Sequence, residues 1–296
     1  MTGTGTSTDP YIVENYEDFC NMNGGSDKYY KLGADIDFSQ SDRTSTSGAI
    51  FVSFKQLDGD GHTVSNFFRR VDIADNSNSL FKFTGTGAMT FQNIYFKGIY
   101  LSGGNACFMG SVSSSYAVTL KNCRIALKIN DTSSVSAQIC TFDKLKLTDS
   151  EILVEGTSDF SKQITNATVY GCLIKLNLTF FNTGSTNTKT IFSNDLSFCG
   201  VTGKIICKDS NASRYVLVNT NNTVSNSYFA LEFDNLYSLS MTANLNGINF
   251  YDKEVMANTV AKMPVSDHLL ALTTEQCKSA EYLQSIDFPC TSGDSV

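Results

Sequence analysis

The chain has 296 residues, enough to bury a core in one or two domains, and its formal net charge at pH 7 is -7. This charge disfavours nucleic acid as a partner, because phosphate binding requires an excess of Lys and Arg. No apolar run reaches the length of about 18 residues that a membrane-spanning helix needs, so we expect no membrane insertion. Only 17% of the residues are charged and 11% are aromatic, with no Trp, which favours an all-β protein over a disordered one.

Three short elements follow one another within residues 5–68. They are GTSTDPYIV with a short helix-like stretch behind it, YYKLGADIDF, and LDGDGHTVSN. In this order they resemble the N-terminal part of a broad group of bacterial and phage surface β-helix proteins. The resemblance implies a cap over residues 1–28 followed by β-helix coils. Surface adhesins, exported repeat proteins and virion appendages all belong to this group, so it implies the fold more firmly than the function.

The first six residues are polar and lack the basic and then apolar pattern of a secretory signal peptide. Two explanations stay open, namely a leader removed from this sequence or a protein that leaves the cell by lysis, as a phage particle does. The second explanation favours a virion protein over an exported adhesin.

From residue 64 onwards a β-rich unit recurs around one turn-forming residue. The gaps between successive markers are 27, 29, 27, 22, 29, 26 and 21 residues, and the markers are Asn66, Asn93, Asn122, Asp149, Gly171, Gly200, Asn226 and Gly247. Asn, Asp and Gly tolerate a left-handed backbone, as a one-residue corner between two strands requires. Periods of this size are typical of a solenoid.

The apolar positions keep a fixed offset from these markers. The residues two before each marker are Val64, Phe91, Leu120, Leu147, Val169, Phe198, Val224 and Leu245. The residues three positions after most later markers are Phe96, Ile125, Ile152, Ile174, Phe229 and Phe250. After Gly200, the same position holds Gly203. This alternation predicts strands with one inward face. We therefore expect an all-β chain folded as a single-stranded, right-handed parallel β-helix over residues 29–251, with short helical caps at both ends; a β-sandwich is the chief alternative.

The remaining segment, 252–296, is predicted to hold an irregular stretch around Pro264 and a closing helix. Thr273 or Thr274 can cap that helix, with Glu275 in its first turn. The nine cysteines form no CxxC pair and no regular spacing, which favours buried free thiols over a zinc site or a disulfide framework. Cys123 and Cys172 each follow a marker, so we expect them at the same position of different coils.

The stretch Asp58-Gly59-Asp60-Gly61-His62 is the strongest candidate for a reactive or metal-binding site, because it holds two carboxylates and an imidazole. Asp58 and Asp60 are weak candidates for a metal site, since the further oxygen ligands and distal Glu of a calcium loop are missing. A tight turn is the favoured interpretation. Asp35 and Asp37 should share an outward strand face, and a polysaccharide-cleaving site built from them with Asp58 and Asp60 is the enzymatic alternative. The sequence predicts neither catalytic residues nor a cofactor.

Exposed tyrosines are the candidate binding residues. Tyr95, Tyr100, Tyr228 and Tyr237, with Tyr251, are candidates for a strip that stacks on sugars or contacts another subunit, although ordinary surface tyrosines are the favoured interpretation. The leading functional hypothesis is a non-enzymatic structural and binding protein of a phage or phage-like virion (a tail, fibre or head-decoration component). Its expected partners are other virion proteins, its own copies in a homotrimer, or a bacterial surface glycan. A bacterial surface adhesin is the alternative, with an extracellular location.

Overall fold

The computed structural model describes residues 1–39, 50–71, 79–83, 87–103, 107–110, 116–130, 138–140, 145–158, 167–180, 189–208, 214–234, 238–258, 263 and 266–288. Three short helices lie near the chain ends, namely α1 (Tyr16–Cys20), α2 (Thr274–Lys278) and α3 (Ala280–Ser285). Within the described residues, none of the helices has the length and apolar character needed to span a membrane.

The strands are short and follow one another along almost the whole chain. In chain order they are β1 (Tyr11–Val13), β2 (Tyr29–Leu32), β3 (Ile36–Asp37), β4 (Ile50–Val52), β5 (Gln56–Asp58), β6 (Thr63–Ser65), β7 (Phe68–Val71), β8 (Ser79–Phe83), β9 (Gly87–Gln92), β10 (Tyr95–Gly103), β11 (Cys107–Gly110), β12 (Tyr116–Lys121), β13 (Arg124–Asn130), β14 (Gln138–Cys140), β15 (Leu145–Thr148), β16 (Glu151–Ser158), β17 (Ala167–Tyr170), β18 (Leu173–Phe180), β19 (Lys189–Phe192), β20 (Leu196–Ser197), β21 (Gly200–Cys207), β22 (Arg214–Val218), β23 (Thr223–Ser225), β24 (Tyr228–Asp234), β25 (Ser238–Ser240), β26 (Asn244–Asn246), β27 (Asn249–Asp252) and β28 (Leu269–Leu272).

These strands stack into long parallel sheets. Sheet A has 10 strands in the order β1-β2-β5-β9-β12-β15-β17-β20-β23-β26. Sheet B has 11 strands, from β3 and β6 through β10, β13, β16, β18, β21 and β24 to β27 and β28, with β7 beside β10. Two smaller sheets hold β4, β8, β11 and β14, and β19, β22 and β25. Neighbouring strands such as β12 and β15, or β18 and β21, are parallel and in register, so the predicted parallel β-helix is confirmed.

One coil visits three sides of the rod. β9 lies in sheet A, the corner residue Asn93 follows, β10 lies in sheet B, and β11 lies in a smaller sheet before β12 returns to sheet A. Parallel strands lie about 4.8 Å apart, so the ten strands of sheet A give a rod about 43 Å long.

The core is built from columns of inward side chains, one residue per coil. The best column in sheet A joins residues that are direct Cα partners and is buried from Tyr30 to Val224, with a partly buried residue at each end. Its members are Tyr11, Tyr30, Leu57, Phe91, Leu120, Leu147, Val169, Leu196, Val224 and Leu245. The predicted inward offset two residues before the marker is therefore correct for most coils.

The corner between sheets A and B is a single residue with positive φ in most coils. Such residues are Asn93, Asn122, Asp149, Gly171, Phe198, Asn226 and Gly247. Each corner amide from Asn93 to Phe198 donates to a carbonyl of the next coil; the amide of Asn122, for example, donates to Thr148 O at 3.0 Å. The corners therefore hold neighbouring coils together as well as turning the chain.

The prediction that Gly200 is a corner is wrong. The corner of that coil is Phe198, whose φ is 55° and whose amide donates to Ser225 O at 2.9 Å. Gly200 lies at the start of β21 and pairs with Leu173. The inward residues of this coil are Leu196 and Val201, both fully buried, and Gly203 falls in the next inward column, between Leu176 and Leu231.

Two other predicted registers also need correction. Asn66 has positive φ but lies in sheet B, between β6 and β7, and stacks against the bulged Gly98 of β10. The turn at Asp58–Gly61 makes the corner of that coil instead. After Gly247 an extra residue, Asn249, shifts the strand, so Phe250 pairs with Tyr228 and not with Phe229.

A column of small polar side chains lies inside the rod, directly after the corners. Cys123 and Cys172 are both in it, as predicted, and the full set is Cys123, Ser150, Cys172, Cys199, Ser227 and Asn249, all buried. Each thiol or hydroxyl donates to the carbonyl two residues earlier, as Ser150 does to Thr148 O at 2.7 Å. Ser150 and Ser227 also accept the amides of Cys123 and Cys199. The two serines thereby pair the buried amides of Cys123 and Cys199, and the column adds a second hydrogen bond to carbonyls that already accept a corner amide.

Short helices cover parts of both ends. Asn15 caps α1, which buries Phe19, and Thr273 caps α2 through a capping box with Gln276, as predicted for Thr273. Sheet A already begins with β1 inside the predicted cap 1–28, and β28 extends sheet B beyond residue 251. The C-terminal helices form a second apolar cluster on the outer side of sheet B, with Phe250, Leu272, Cys277, Leu283 and Phe288.

Two glycines test how closely the coils stack. Gly156 and Gly87 both have a φ that disfavours other residues, 128° and 114°. A Cβ at Gly156 would overlap the carbonyl oxygen of Ile129 in the preceding coil, whereas a Cβ at Gly87 meets nothing within 4 Å. We expect Gly156→Ala to lower the free energy of unfolding by about 2 kcal/mol or more beyond Gly87→Ala. Equal losses in chemical denaturation would contradict the described stacking.

Candidate functional site

The first candidate, the acidic stretch around Asp58, is occupied by bonds within the chain. Asp58 accepts hydrogen bonds from the amide of Asp60 (2.9 Å), Gln92 Nε2 (2.6 Å) and Asn93 Nδ2 (2.9 Å). Asn122 Nδ2 continues the series to Asn93 Oδ1 at 2.7 Å. Burial by itself would raise the pKa of Asp58, but these hydrogen bonds and the charge of Lys31 together lower it.

The neighbouring carboxylates are also paired. Asp35 Oδ1 accepts from the Thr63 amide at 2.8 Å and lies 3.1 Å from His62 Nδ1. Both interactions lower the pKa of Asp35. Lys31 Nζ lies 2.8 Å from Asp60 Oδ2.

Asp37 accepts from Asn66 Nδ2 and from Ser39, which lowers its pKa. Together with the contacts of Asp35, Asp58 and Asp60, these bonds tie the first coils to one another. Among the described residues, no group of three or more His, Cys, Asp and Glu is placed to hold a metal ion. The turn interpretation of Asp58–His62 agrees with the His62 amide donating to Gly59 O at 2.8 Å.

The buried thiols are poor candidates for chemistry. Burial raises the pKa of Cys123 and of Cys199 to about 11 and that of Cys172 to about 12. They are therefore protonated at neutral pH, and a thiol is a far weaker nucleophile than a thiolate. The six cysteines with described side chains, Cys20, Cys123, Cys172, Cys199, Cys207 and Cys277, form no disulfide.

The predicted tyrosine strip is not assembled. Tyr95 and Tyr228 occupy one outward column of sheet B, but Arg124, Glu151, Leu173 and Gly200 separate them. Tyr100 lies in another column, where its hydroxyl accepts from Asn130 Nδ2 at 2.9 Å. Tyr237 lies outside the described residues.

Two of these tyrosines belong to packed regions instead. Tyr228 covers Gly200 and stacks on Phe250, with centroids 5.4 Å apart, beside the C-terminal helices. Burial raises its pKa. Tyr251 is 6% exposed, so its predicted exposure is wrong. Tyr228 is half-buried, and it packs beside the C-terminal helices and not in a surface strip.

A different aromatic group is exposed, at the corner between sheets A and B. Tyr170 is 46% exposed, Phe198 41% and Leu173 53%. The rings of Tyr170 and Phe198 lie on successive coils, with centroids 5.2 Å apart and planes 54° apart. Leu173 follows the Gly171 corner and pairs with Gly200, just after Phe198. We call Tyr170, Leu173 and Phe198 the corner patch.

Phe198 is unusual in both its backbone and its surroundings. The other corners of this column are Asn, Asp or Gly, whereas a bulky residue with positive φ is a conformational outlier. Burial compensates for this cost only in part, because 41% of the residue surface stays exposed. Strained residues of this kind concentrate at functional sites, so the corner patch is the best candidate site of the described chain.

The sequence pattern concealed this patch. Taking Gly200 as the marker placed Phe198 two residues before it, at a position expected to be inward. The signal that could have revealed the error was Gly203 at the next expected core position. Moving the corner to Phe198 also makes the spacing of this coil more regular, 27 and 28 residues on either side.

Comparison with known proteins identifies no family. No protein-family profile and no curated protein matches this chain. Among solved structures, it is similar to a Bacteroides ovatus protein provisionally assigned as an immunoglobulin A1 protease. The two are 16% identical, with a TM-score of 0.41 over 79% of this chain and 80% of that one. A likeness at this level says nothing about activity.

The hydrogen bonds of Asp58 make stability depend on acid pH. Its pKa is lower in the folded protein than the ordinary value of 3.8, so its contribution is complete above that value and is lost as the pH falls through the folded-state pKa. Asp58→Asn should therefore be less stable than wild type at pH 7, and the difference should shrink below pH 3.8. Denaturant unfolding at several pH values checks this. Asp267→Asn, at an exposed site, is the charge-matched control, and a difference that grows in acid would refute the assignment.

The strain at Phe198 predicts an unusual stability result. Phe198→Asn restores a residue that tolerates this conformation, so the free energy of unfolding should stay within about 1 kcal/mol of wild type or rise. Leu196→Ala, two residues earlier and fully buried, should lose about 2–5 kcal/mol. Thermal or denaturant unfolding measures both. A loss above about 2 kcal/mol in Phe198→Asn would mean that the ring serves the fold and not a partner.

Proposed function

We propose that this chain is a non-enzymatic structural and binding protein of a phage or phage-like virion, and that it makes its contacts through the corner patch. The observation that carries the binding role is Phe198. Its ring is partly exposed, lies against the ring of Tyr170 and is held by a backbone conformation that costs stability.

The architecture supports a role as a rigid support for such a patch. The inward residues form one continuous apolar cluster through the stacked coils, and neighbouring corners are joined by backbone hydrogen bonds. A side chain at one corner is therefore held at a fixed position along the rod. Preorganised surface groups of this kind lose little entropy when a partner binds.

The acidic cluster supports the same proposal. Asp35, Asp37 and Asp58 have lowered pKa values and accept hydrogen bonds from within the chain. A general acid at neutral pH requires a raised pKa, so this cluster suits the role of a structural clamp better than that of a polysaccharide-cleaving site.

The setting in a virion rests on the resemblance of residues 5–68 to surface β-helix proteins. A bacterial surface adhesin of the same fold is the alternative. It would use the same patch but would reside on the bacterial surface and not in a virion. Assembly into a homotrimer through a lateral face stays a prediction of that resemblance.

Two measurements test the proposal. The chain should be detected by mass spectrometry and immunogold labelling in purified particles. Particles carrying Phe198→Asn should attach to their contact partner, host cells or neighbouring virion proteins, several-fold less well, with unchanged amounts of the protein. Tyr95→Ser, on the outward face of a distant coil, is the control and should leave attachment unchanged. Recovery of the protein from cell envelopes and not from particles would overturn the virion setting, and unchanged attachment of Phe198→Asn would overturn the binding role.

A further inference from the structure

We propose that the corner patch binds a neutral glycan, with the rings of Tyr170 and Phe198 stacked against the apolar faces of sugar residues. This inference rests on the proposed binding role and names the ligand class of the same site. It follows from the geometry of the rings, the area of the patch, the hydroxyl groups beside it and the charges around it.

The two rings form a step along the rod. They belong to adjacent coils, and their centroids are 5.2 Å apart, close to the strand spacing. The rings contact each other at a tilt of 54°, and each leaves more than two fifths of its residue surface to solvent. Aromatic rings offer a flat apolar face at little entropic cost, which matches the flat C–H face of a pyranose.

The area of the patch favours a small ligand over a second copy of the chain. Three side chains that are about half exposed offer on the order of 250 Å² of apolar surface. A stable protein interface needs about 800 Å² on each partner. An extended protein contact would therefore have to draw on the polar faces around the patch, whereas one or two sugar rings can be covered by the patch alone.

Short hydroxyl side chains border the patch on the outer face of sheet A. Tyr170 pairs with Thr148 on one side and Ser197 on the other, and Thr168 lies on the same face, two residues before Tyr170. Ser197 Oγ lies 2.8 Å from Ser225 Oγ in the next coil. Hydroxyls both donate and accept hydrogen bonds, so this row can pair with the hydroxyls of a sugar that stacks on Tyr170.

The charges around the rings are of both signs and do not favour an acidic glycan. The Asp149 carboxylate lies against Gly171, since a Cβ there would be 2.6 Å from Asp149 Oδ1. Asp195 lies in the coil of Phe198, where it accepts from the Thr223 amide. On the other flank, Glu151 pairs with Arg124 at 3.1 Å, and Lys175 is exposed two residues beyond Leu173. Lys146 is exposed beside Thr168 on the same face as Tyr170, so the two signs are balanced and there is no excess of positive charge to recruit uronic acids or phosphate groups.

The chain provides a direct reporter for this test, because it contains no Trp. Phe198→Trp keeps an aromatic ring in the patch and makes its emission the sole indole signal. The probes are neutral β-linked pentasaccharides of glucose, N-acetylglucosamine and mannose, with the pentasaccharide of galacturonic acid as the acidic comparison. We expect at least one neutral probe to shift the emission of Phe198→Trp and to bind the wild-type chain in calorimetry, and the acidic probe to bind about tenfold more weakly or not at all.

Variants separate a stacking role from a structural one. Phe198→Asn and Tyr170→Ser should each weaken binding of the neutral probe by about tenfold or more, while Tyr95→Ser should bind as wild type does. Circular dichroism and unfolding midpoints confirm that the variants are folded.

The outcomes distinguish this inference from the proposed function. If none of the neutral probes binds at about 10 mM, or if the acidic probe binds more tightly, the glycan inference is overturned. If Phe198→Asn nevertheless reduces attachment of particles, the proposed binding role still stands with a different ligand. If neutral glycans bind equally well to wild type and Phe198→Asn, the site has been misplaced.

Discussion

The fold depends on the one-residue corner between sheets A and B. A left-handed residue turns the chain there, and its amide donates to the next coil, as Asn93 does to Lys121 O at 3.1 Å. The side chain that follows the corner then bonds the carbonyl that precedes it, as Ser227 does to Ser225 O. Because a buried backbone group without a partner costs about 1–3 kcal/mol, these bonds allow the coil to turn sharply against an apolar core.

This constraint also explains the alternation of Cys, Ser and Asn inside the rod. The position after the corner is buried, yet it lies beside a carbonyl that already accepts the corner amide of the preceding coil and can accept a second hydrogen bond. A thiol or a hydroxyl meets both conditions, because each is small and can donate. Asn249 performs the same task by reaching Asn246 O at 3.0 Å, three residues earlier, because the strand there carries an extra residue. The cysteines therefore serve as packing and capping residues, and their raised pKa values follow from that placement.

The corner at Phe198 departs from this pattern of polar corner residues. Asparagine at other corners extends hydrogen bonds between coils, as Asn122 does with Asn93, whereas Phe198 gives up that bond and accepts backbone strain. The ring then lies tilted against that of Tyr170 and remains 41% exposed to solvent. A feature that costs stability in the folded chain and returns little packing is most readily explained by a contact outside the chain, which is why the proposed function and its ligand are centred on this corner.

The sequence by itself determined the repeating coil, because alternation of apolar residues and spaced Asn, Asp and Gly are local signals that a parallel β-helix requires in every turn. It also placed Cys123 with Cys172 and identified the Thr273 cap. It could not determine the register of irregular coils. Gly200 matched the corner by residue type, but only the stacking of Gly171 against Ser197 and Phe198 against Ser225 shows which residue turns the chain. The tertiary structure also decided which aromatic side chains are exposed, namely Tyr170 and Phe198 with Leu173, and which are covered, namely Tyr228 and Tyr251. The reason is the same, because a shift of one or two residues in a strand changes which neighbours cover a side chain. Those neighbours are more than twenty residues away in the sequence.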